Sequence, residues 1–349
     1  MFKFSISGKL STLEKKKTMN KTIILHSRPQ GMPKTENFKI IEEKKPEPGK
    51  GEILLEAKYI SVDPYLRGRM RDEESYIPPF QIGEALDSMV VAEVKNSNNP
   101  NFKEGDFVSG MLKWKQLQTS NGAGLNKIDK QKAPLTAYLG VLGLTGLTAY
   151  IALEKIGKLE SGETLVVSGA AGAVGSVVGQ IGKIKGCKVI GIAGSDDKIK
   201  KIKKDFGFDA GINYKTTENM KKALAENCPG GIDVYFDNVG GEILDAVMQN
   251  INDFARIINC GAISLYNKEE MPTGPRLEGI LIKKSALMQG FLVRNHVKDF
   301  GPAINQLGTW LKEGKLKYDE TIIKGFENTP QAFIDLFKGK NTGKMVVEV

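Results

Sequence analysis

The stretch TLVVSGAAGAVGSVVGQIGKIKGCKVIGIAGSDDK, at residues 164–198, decides the fold of this chain. It begins with an apolar segment at 165–167, typical of a strand buried on both faces. A glycine-rich turn, a helix containing small residues and a second apolar strand follow. Gly179 and Gly182 lie near one face of that helix, where they permit close approach to a sheet or a ligand. This order predicts a βαβ unit.

The turn at 168–175 is typical of dinucleotide-binding units, with one departure. Against the pattern GxGxxG it has Ala170 in the first position, followed by Gly172 and Gly175. The second glycine of such a turn admits pyrophosphate to the backbone, and the third lets the helix pack closely on the strand. A glycine pattern alone is weak evidence, but the strand before it and the helix and strand after it favour dinucleotide binding.

The end of the second strand favours NADP over NAD. NAD-binding units place Asp or Glu there, about 20 residues beyond the turn, to hold the ribose 2′-hydroxyl. Residues 193–195 contain no carboxylate, and Lys198 follows as a cation suited to a 2′-phosphate. Asp196 and Asp197 fit the first turn of the next helix, with Ser195 as its cap. A solvated Lys198, like its neighbouring helix lysines, is the alternative.

Length and composition indicate a two-domain globular protein. The chain has 349 residues, of which 40% are hydrophobic and 26% charged. The net charge is +9, but residues 1–18 carry five lysines and one glutamate, and the other lysines are scattered. Because no basic stripe is interleaved with aromatic residues, nucleic-acid binding is not expected.

Cysteine and histidine usage predicts a reducing compartment and no metal site. Cys187, Cys228 and Cys260 are widely spaced and odd in number, which favours free, buried thiols and a cytoplasmic protein. The two histidines, His26 and His296, have no metal-ligand neighbour at a suitable spacing.

Two segments bear on membrane targeting. Residues 1–18 lack the apolar core of a signal peptide, and they are expected to be either a disordered extension or a misassigned start. The uncharged run at 135–153 is long enough to span a membrane, but its glycines and threonines favour a buried segment at a domain junction. We therefore expect no membrane association.

The chain pattern predicts two interleaved domains with a cleft between them. Short strands broken by Pro and Gly, at 21–110, indicate a β-barrel or sandwich. Alternating strands and helices then indicate a parallel sheet, and strand patterns return near the carboxyl end. The later expected elements are strands at 211–214, 232–241, 255–263, 286–293 and 321–323, and helices at 242–250, 297–312 and 330–337.

Two sets of polar residues could line that cleft. Asp237-Asn238 and Cys260-Gly261 come at strand tips, where a doubly wound sheet binds its ligand. The segment at 61–70 places Tyr65, Arg67 and Arg69 after an Asp-Pro turn. It is either a solvated loop or a loop that faces the substrate.

The sequence resembles the zinc-independent medium-chain dehydrogenases/reductases, in particular the prostaglandin reductase, curcumin reductase and double-bond reductase group. The resemblance covers 21–349. It rests on SVDPYLRGRM at 61–70, GVLGLTGLTAY at 140–150, the AAGAVG turn at 170–175, YFDNVGGEILDAV at 235–247, CGAISLYN at 260–267, GFENTPQAF at 325–333 and GKNTGKMVVEV at 339–349.

This resemblance implies an α/β fold class, with a GroES-like β-barrel domain and a doubly wound, parallel-sheet Rossmann domain. It divides the chain into a substrate-binding and catalytic domain at 19–142 and 314–349 and an NADPH-binding domain at 143–313. It also implies a homodimer. Zinc-dependent relatives hold metal with a Cys near position 61 and a His after position 83, whereas Ser61 and Glu84 stand here and the four-cysteine loop is missing.

The resemblance also implies site residues. Lys198 would bind the 2′-phosphate, Tyr214 would lie at the adenosine side, and Tyr65 and Tyr266 would face the substrate. Pyrophosphate would lie on Gly172, Ala173, Val174 and Gly175. The remaining cofactor-binding residues would be Thr148 near the nicotinamide, Asn238, Cys260, Gly261, Ala262, Ile263, Ser264, Tyr266, Phe291, Leu292, Val293 and Asn341.

The implied reaction is NADPH-dependent reduction of the carbon–carbon double bond of an enone or enal. Negative charge on the carbonyl oxygen then needs a hydrogen-bond donor, for which Tyr266 is the candidate catalytic residue. The alternative is that Tyr266 packs a loop at the domain interface. A quinone reductase and a non-enzymatic NADPH-binding protein are the rival functions.

Overall fold

The computed structural model describes residues 19–270 and 272–349, so the extension expected at 1–18 lies outside the described residues. An antiparallel pair opens the described chain, formed by β1 (Met19–Leu25) and β2 (Phe38–Lys44). A seven-stranded sheet follows, in the order β14-β15-β3-β4-β5-β7 with β6 paired to β3. Its strands are β3 (Ile53–Ser61), β4 (Asp87–Ser97), β5 (Phe107–Lys113), β6 (Leu117–Ser120), β7 (Asn126–Ile128), β14 (Glu320–Lys324) and β15 (Lys344–Glu348).

This barrel-like domain encloses a core contributed by both ends of the chain. The short helix α1 (Leu66–Arg69) lies between β3 and β4, and α9 (Thr329–Phe337) lies between β14 and β15. Phe333 of α9 packs edge-on against Phe38, with ring centroids 6.1 Å apart, and Phe38 stacks on Trp114. All three side chains are buried in one cluster with the inward faces of β3 and β4.

The second domain is a six-stranded parallel sheet in the order β10-β9-β8-β11-β12-β13. The α/β fold class with a barrel-like and a Rossmann domain is confirmed, while the division at 142–143 and 313–314 stays a prediction. The elements are β8 (Thr164–Ser168), α3 (Gly175–Ile184), β9 (Lys188–Ala193), α4 (Asp196–Phe206), β10 (Ala210–Asn213), α5 (Met220–Asn227), β11 (Ile232–Asp237), α6 (Gly241–Met248), β12 (Ile251–Asn259), α7 (Glu278–Lys284), β13 (Leu287–Gly290) and α8 (Phe300–Lys312).

The βαβ unit has the predicted form, and its small residues serve close packing. A Cβ on Gly179 would stand 1.9 Å from the ring of Phe208, and one on Gly182 would stand 2.6 Å from Leu165. The glycines of α3 therefore bring the helix onto the sheet. Ser195 caps α4, since its hydroxyl accepts a 3.3 Å hydrogen bond from the backbone N–H of Lys198, as predicted.

The uncharged run at 135–153 forms a 3₁₀ turn and the helix α2 (Leu144–Ala152) between the domains. Gly146 is required there because a Cβ would stand 1.8 Å from the carbonyl oxygen of Val141. Among residues 19–270 and 272–349, no helix is both long and apolar enough to cross a membrane.

Two elements start three or more residues away from the predicted position, and the strands expected at 232–241, 255–263 and 286–293 end earlier, at Asp237, Asn259 and Gly290. β12 begins at Ile251 and not near 255, because Ile251 pairs with Ile232 before a register shift in which Phe254 adopts φ +61°. α8 begins at Phe300 and not at 297, because residues 293–299 form a 3₁₀ segment that is irregular at His296. Pro302, which has no N–H to donate, is then placed in the first turn of the helix.

Candidate active site

A cleft of about 1570 Å³ lies between the two domains. The carboxyl ends of β8, β9, β11 and β12 open into it, together with residues of α2 and the segments 61–65 and 339–345. It exceeds the roughly 300–1,000 Å³ of a usual small-molecule pocket, so it has room for a dinucleotide and a second molecule.

The glycine-rich turn makes the floor of this cleft. Gly169 takes the left-handed conformation with φ +60°, and a Cβ on Gly175 would stand 2.4 Å from its carbonyl oxygen. Ala170 is tolerated in the first position because its methyl group faces the sheet, where Gly191 leaves space for it. A Cβ on Gly191 would stand only 2.8 Å from this methyl group. No described side chain caps the start of α3, and the N–H groups of Ser176 and Val177 donate to the carbonyls of Gly172 and Val174. The N–H of Gly175, the first residue of the helix, has no partner among the described residues and is available to an anion.

A buried carboxylate fixes the neighbouring strand ends. Asp237 is 1% exposed, and its Oδ1 accepts hydrogen bonds from the hydroxyls of Ser168 and Tyr235 at 2.9 and 2.8 Å. The backbone N–H groups of Val239 and Gly240 donate to the same oxygen at 2.9 Å. β8 and β11 are thereby held in register at the point where both meet the cleft.

Two lysines face the far end of the cleft. Lys198 Nζ donates a 2.7 Å hydrogen bond to the carbonyl of Gly339, and burial together with the charge of Lys215 lowers its pKa. Lys215, which is exposed, follows Tyr214 at the end of β10 and also lines the cleft. A Cβ on Gly194, directly after β9, would stand 3.0 Å from the ring of Tyr214. The glycine therefore leaves room for this ring at the end of β9.

Tyr266 follows β12 and lies half-buried in the cleft wall. Its hydroxyl accepts a 3.2 Å hydrogen bond from the backbone N–H of Ala262, which leaves its own proton free to be donated. Burial raises the pKa of Tyr266, so the hydroxyl keeps that proton at neutral pH.

Two more tyrosines line the cleft from the barrel side. Tyr65 precedes α1. Burial raises the pKa of its hydroxyl well above the usual value for tyrosine, and the charge of Asp63 adds to the effect. Burial also raises the pKa of the Tyr76 hydroxyl, and Tyr266 adds to the effect. The three phenols therefore remain neutral hydrogen-bond donors.

A buried ion pair supports the substrate side. Lys344 is 4% exposed and lies 3.1 Å from Asp63, and its Nζ also donates to the carbonyls of Val62 and Met345. The hydroxyl of Ser61 donates to the other oxygen of Asp63. This network ties β15 to the end of β3, immediately before Tyr65.

The structure gathers the site residues that the family resemblance implies into one cleft, with one exception. Ala262 does not line the cleft, and its N–H contacts the Tyr266 hydroxyl instead. Asp237, Arg67 and Arg69, which the sequence pattern also placed near the cleft, do not line it. The residues that do line it are Tyr65, Thr148, Gly172, Ala173, Val174, Gly175, Lys198, Tyr214, Asn238, Cys260, Gly261, Ile263, Ser264, Tyr266, Phe291, Leu292, Val293 and Asn341.

Comparison with known proteins identifies the family. A family model described as the N-terminal domain of oxidoreductase matches residues 21–128, and one described as zinc-binding dehydrogenase matches residues 173–308. The protein YfmJ of Bacillus subtilis (strain 168), whose name describes it as an NADP-dependent oxidoreductase, is 54% identical to this chain. The match covers 94% of this chain and 97% of YfmJ. NADPH-dependent curcumin reductase of Escherichia coli (strain K12) is 43% identical over 95% of this chain and 98% of its own.

The chain belongs to the medium-chain dehydrogenase/reductase family. It falls in the zinc-independent group with curcumin, 2-alkenal and prostaglandin reductases. The crystal structure of CurA from Vibrio vulnificus in complex with NADPH matches it with a TM-score of 0.91 at 43% identity, over 94% of this chain and 99% of that one. This medium-chain reductase is an NADPH-dependent oxidoreductase.

The cleft of this reductase fits NADPH on observations of its own. Apart from Val174, the residues of the turn at 169–175 that line the cleft carry at most a methyl group, so a pyrophosphate can approach the backbone. Lys198 and Lys215 at the other end of the cleft suit a 2′-phosphate. Among the described residues, no group of three or more His, Cys, Asp and Glu side chains is arranged to hold a metal ion.

Among the lining residues that sequence reasoning missed are three polar side chains of this site, Tyr76, Lys215 and Lys344. Tyr76 lies in a loop without periodicity, and Lys215 reads as one more surface lysine. Lys344 is the first residue of β15, and its side chain donates to the carbonyl of Val62, 282 residues away, so no local pattern marks it. The position of Lys215 directly after a strand end was the one available signal.

Proposed function

We propose that this reductase acts on the carbon–carbon double bond of α,β-unsaturated ketones and aldehydes. Bound NADPH supplies a hydride to the β-carbon. Negative charge then develops on the carbonyl oxygen of the substrate, and the protein must stabilise it with hydrogen-bond donors. A proton added at the α-carbon completes the saturated product.

The free proton of the Tyr266 hydroxyl carries this proposal. The Ala262 N–H occupies one acceptor position of that hydroxyl and fixes the oxygen, so that its O–H can point towards the substrate carbonyl. Such a preorganised donor stabilises developing charge more than a mobile one. The proton for the α-carbon comes either from Tyr266 or from water.

The proposed substrate class agrees with the chemistry of the cleft wall. Tyr65 and Tyr76 line it on the barrel side, next to Ile77, Met89 and Met111. An apolar wall with a few phenol groups suits an enone, which has a hydrocarbon body and one polar oxygen. Relatives named curcumin reductase and 2-alkenal reductase support the same class.

We assign the cofactor contacts by position along the cleft. The turn from Gly172 to Gly175 takes the pyrophosphate, and Lys198 with Tyr214 takes the adenosine 2′-phosphate end. The nicotinamide half lies near Thr148. The remaining length of the cleft is lined by Asn238, residues 260–261, 263–266 and 291–293, and Asn341.

A steady-state panel of NADPH oxidation tests the function. Small alkenals, long-chain enones and curcumin-like diketones should be turned over, and product analysis should find the saturated carbonyl. Faster turnover of quinones than of every enone would favour a quinone reductase. NADPH binding without oxidation across the whole panel would favour a non-enzymatic role.

We also propose that the protein is a homodimer. β13 is the edge strand of the parallel sheet, and Leu287 on it is 47% exposed. Ile282 and Val297 on adjoining elements are 79% and 63% exposed. An unpaired edge beside apolar side chains suits pairing with a second copy. Light scattering should give about twice the 38.2 kDa of one chain.

We propose a cytoplasmic location on the basis of the thiols. Cys187, Cys228 and Cys260 are all free, although Cys260 has access to the cleft. Free thiols persist in a reducing compartment. Cell fractionation should recover the protein with cytoplasmic markers, and recovery in an oxidising compartment would contradict the proposal.

A further inference from the structure

Two arginines that follow Tyr65 reach across the domain boundary to the loop that carries Tyr266. Arg71 donates from Nη2 to the carbonyl of Tyr266 at 3.1 Å and to the carbonyl of Lys268 at 2.7 Å. Arg67 donates from Nε to the side-chain oxygen of Asn267 at 3.0 Å. Three consecutive residues of this loop are therefore held by one short segment of the barrel domain.

The barrel side of this contact is itself firmly held. Arg67 is 2% exposed, and its Nη2 also donates to the carbonyls of Gly31 and Pro29 at 2.9 and 3.3 Å. Arg28 donates at 3.2 Å to the carbonyls of both Met70 and Arg71, behind the helix α1. Arg71 therefore extends from a fixed backbone.

A stabilising role alone explains these arginines poorly. Nη1 of Arg67 is buried and has no hydrogen-bond partner among the described residues, and a buried donor without a partner destabilises the fold. Apolar side chains of similar volume would fill a buried site at lower cost than an incompletely paired cation. The hydrogen bonds instead give direction, because a guanidinium group donates from a rigid plane.

We propose that Arg67 and Arg71 form an arginine clasp, which holds residues 266–268 against the barrel domain and so positions the Tyr266 hydroxyl in the cleft. The clasp rests on the proposed function for its catalytic consequence. Neither arginine lines the cleft, so both are positioning residues that act through Tyr266. The clasp couples the substrate-facing segment at Tyr65 to the candidate donor on the other domain.

Arg71→Gln is the decisive variant, because the Arg71 side chain is 31% exposed and its loss leaves no buried cavity. Amide hydrogen exchange of the 262–270 segment, measured with NADPH present, should rise about 10-fold or more. Arg276→Gln removes a charge from a side chain that is 93% exposed and should change nothing. Equal exchange of 262–270 in the wild type and Arg71→Gln would overturn the clasp.

Kinetics provide a second measurement. We expect kcat for an enone to fall about 10- to 100-fold in Arg71→Gln, because a small misplacement of a catalytic group is costly, while the Kd for NADPH stays within about threefold. Arg71→Lys, which keeps a donor, should recover part of kcat. In a Tyr266→Phe background, Arg71→Gln should change kcat less than about twofold, since the two residues act as one unit.

The two proposals fail in different ways. If the losses of kcat caused by Arg71→Gln and Tyr266→Phe multiply in the double variant, Arg71 does not act through Tyr266. The clasp would then be wrong, while enone reduction would still stand. Absence of enone turnover in the wild type would remove the proposed function. The exchange measurement would still decide whether the clasp holds the loop.

Discussion

The backbone N–H of Ala262 donates a 3.2 Å hydrogen bond to the hydroxyl of Tyr266, four residues along the same loop. This contact gives the phenol a fixed oxygen and a free proton. Tyr266→Phe removes both while keeping the ring, so kcat for an enone should fall about 100-fold. The Kd for NADPH, measured by fluorescence titration, should change little. An unchanged kcat would remove Tyr266 from the mechanism.

The pH dependence of kcat should reflect the raised pKa of the Tyr266 hydroxyl. Burial raises this pKa above the usual value near 10, although the Ala262 N–H partly opposes the shift. A phenol donates only while protonated, so the donor is present at low pH and is lost as pH rises through the raised pKa. We expect kcat to show no loss from this group below about pH 10. A fall centred near pH 8 would assign the titration to a different group.

Lys198 and Lys215 should determine cofactor choice. Lys198→Ala should raise the KM for NADPH about 10-fold or more, since it removes a charged hydrogen-bond donor, and should leave the KM for NADH nearly unchanged. Lys215→Ala should act in the same direction but less, because Lys215 is more exposed. Lys200→Ala, on the same helix as Lys198 but 80% exposed, is the matched control. Equal effects on both cofactors would make Lys198 a surface charge only.

The thiols should resist alkylation in the folded protein. Burial raises the pKa of Cys260 to about 12 and those of Cys187 and Cys228 to about 11. Because the thiolate is the nucleophile, only about one Cys260 in ten thousand is reactive at pH 8. N-ethylmaleimide at pH 8 should label the native protein very slowly and all three thiols after unfolding. Rapid loss of activity with one label per chain would contradict this.

Glycines in helices should differ in their tolerance of a methyl group. Gly179→Ala should destabilise the fold by roughly 1–3 kcal/mol or more, because the new Cβ overlaps the ring of Phe208. Gly308→Ala, in α8, meets nothing within 4 Å and should stabilise it by about 0.5–1 kcal/mol. Denaturant unfolding measures both free energies. Equal free energies of unfolding for Gly179→Ala and the wild type would mean that α3 can move away from Phe208 without loss of stability.

Local chemistry made the Rossmann domain predictable. The strand, turn and helix at 164–198 and the Ser195 cap depend on neighbouring residues alone, so the sequence pattern suffices for them. Ile251 was missed as a strand start because polar residues and the irregular Phe254 follow it. Its pairing with Ile232 becomes visible only when the sheet has formed.

Contacts between residues that are far apart in the chain could not be predicted from the sequence. A motif could nominate Lys198 and Tyr266 as site residues. Nothing near Lys198 in the chain indicates that it bonds to Gly339, 141 residues away. Arg71 and Tyr266 are likewise 195 residues apart, and their contact depends on how two domains meet. Such contacts follow from tertiary packing and not from local propensity.

The position of β15 inside the barrel sheet, next to β3, has a consequence for biosynthesis. β15 lies between β14 and β3, so the sheet that starts at β3 stays incomplete until the ribosome has made the whole intervening domain. The Rossmann sheet, by contrast, is assembled from one continuous part of the chain. We expect it to fold first, while the edge of β3 waits unpaired and exposed to chaperones. Nascent chains that end before residue 344 should therefore be held as chaperone clients.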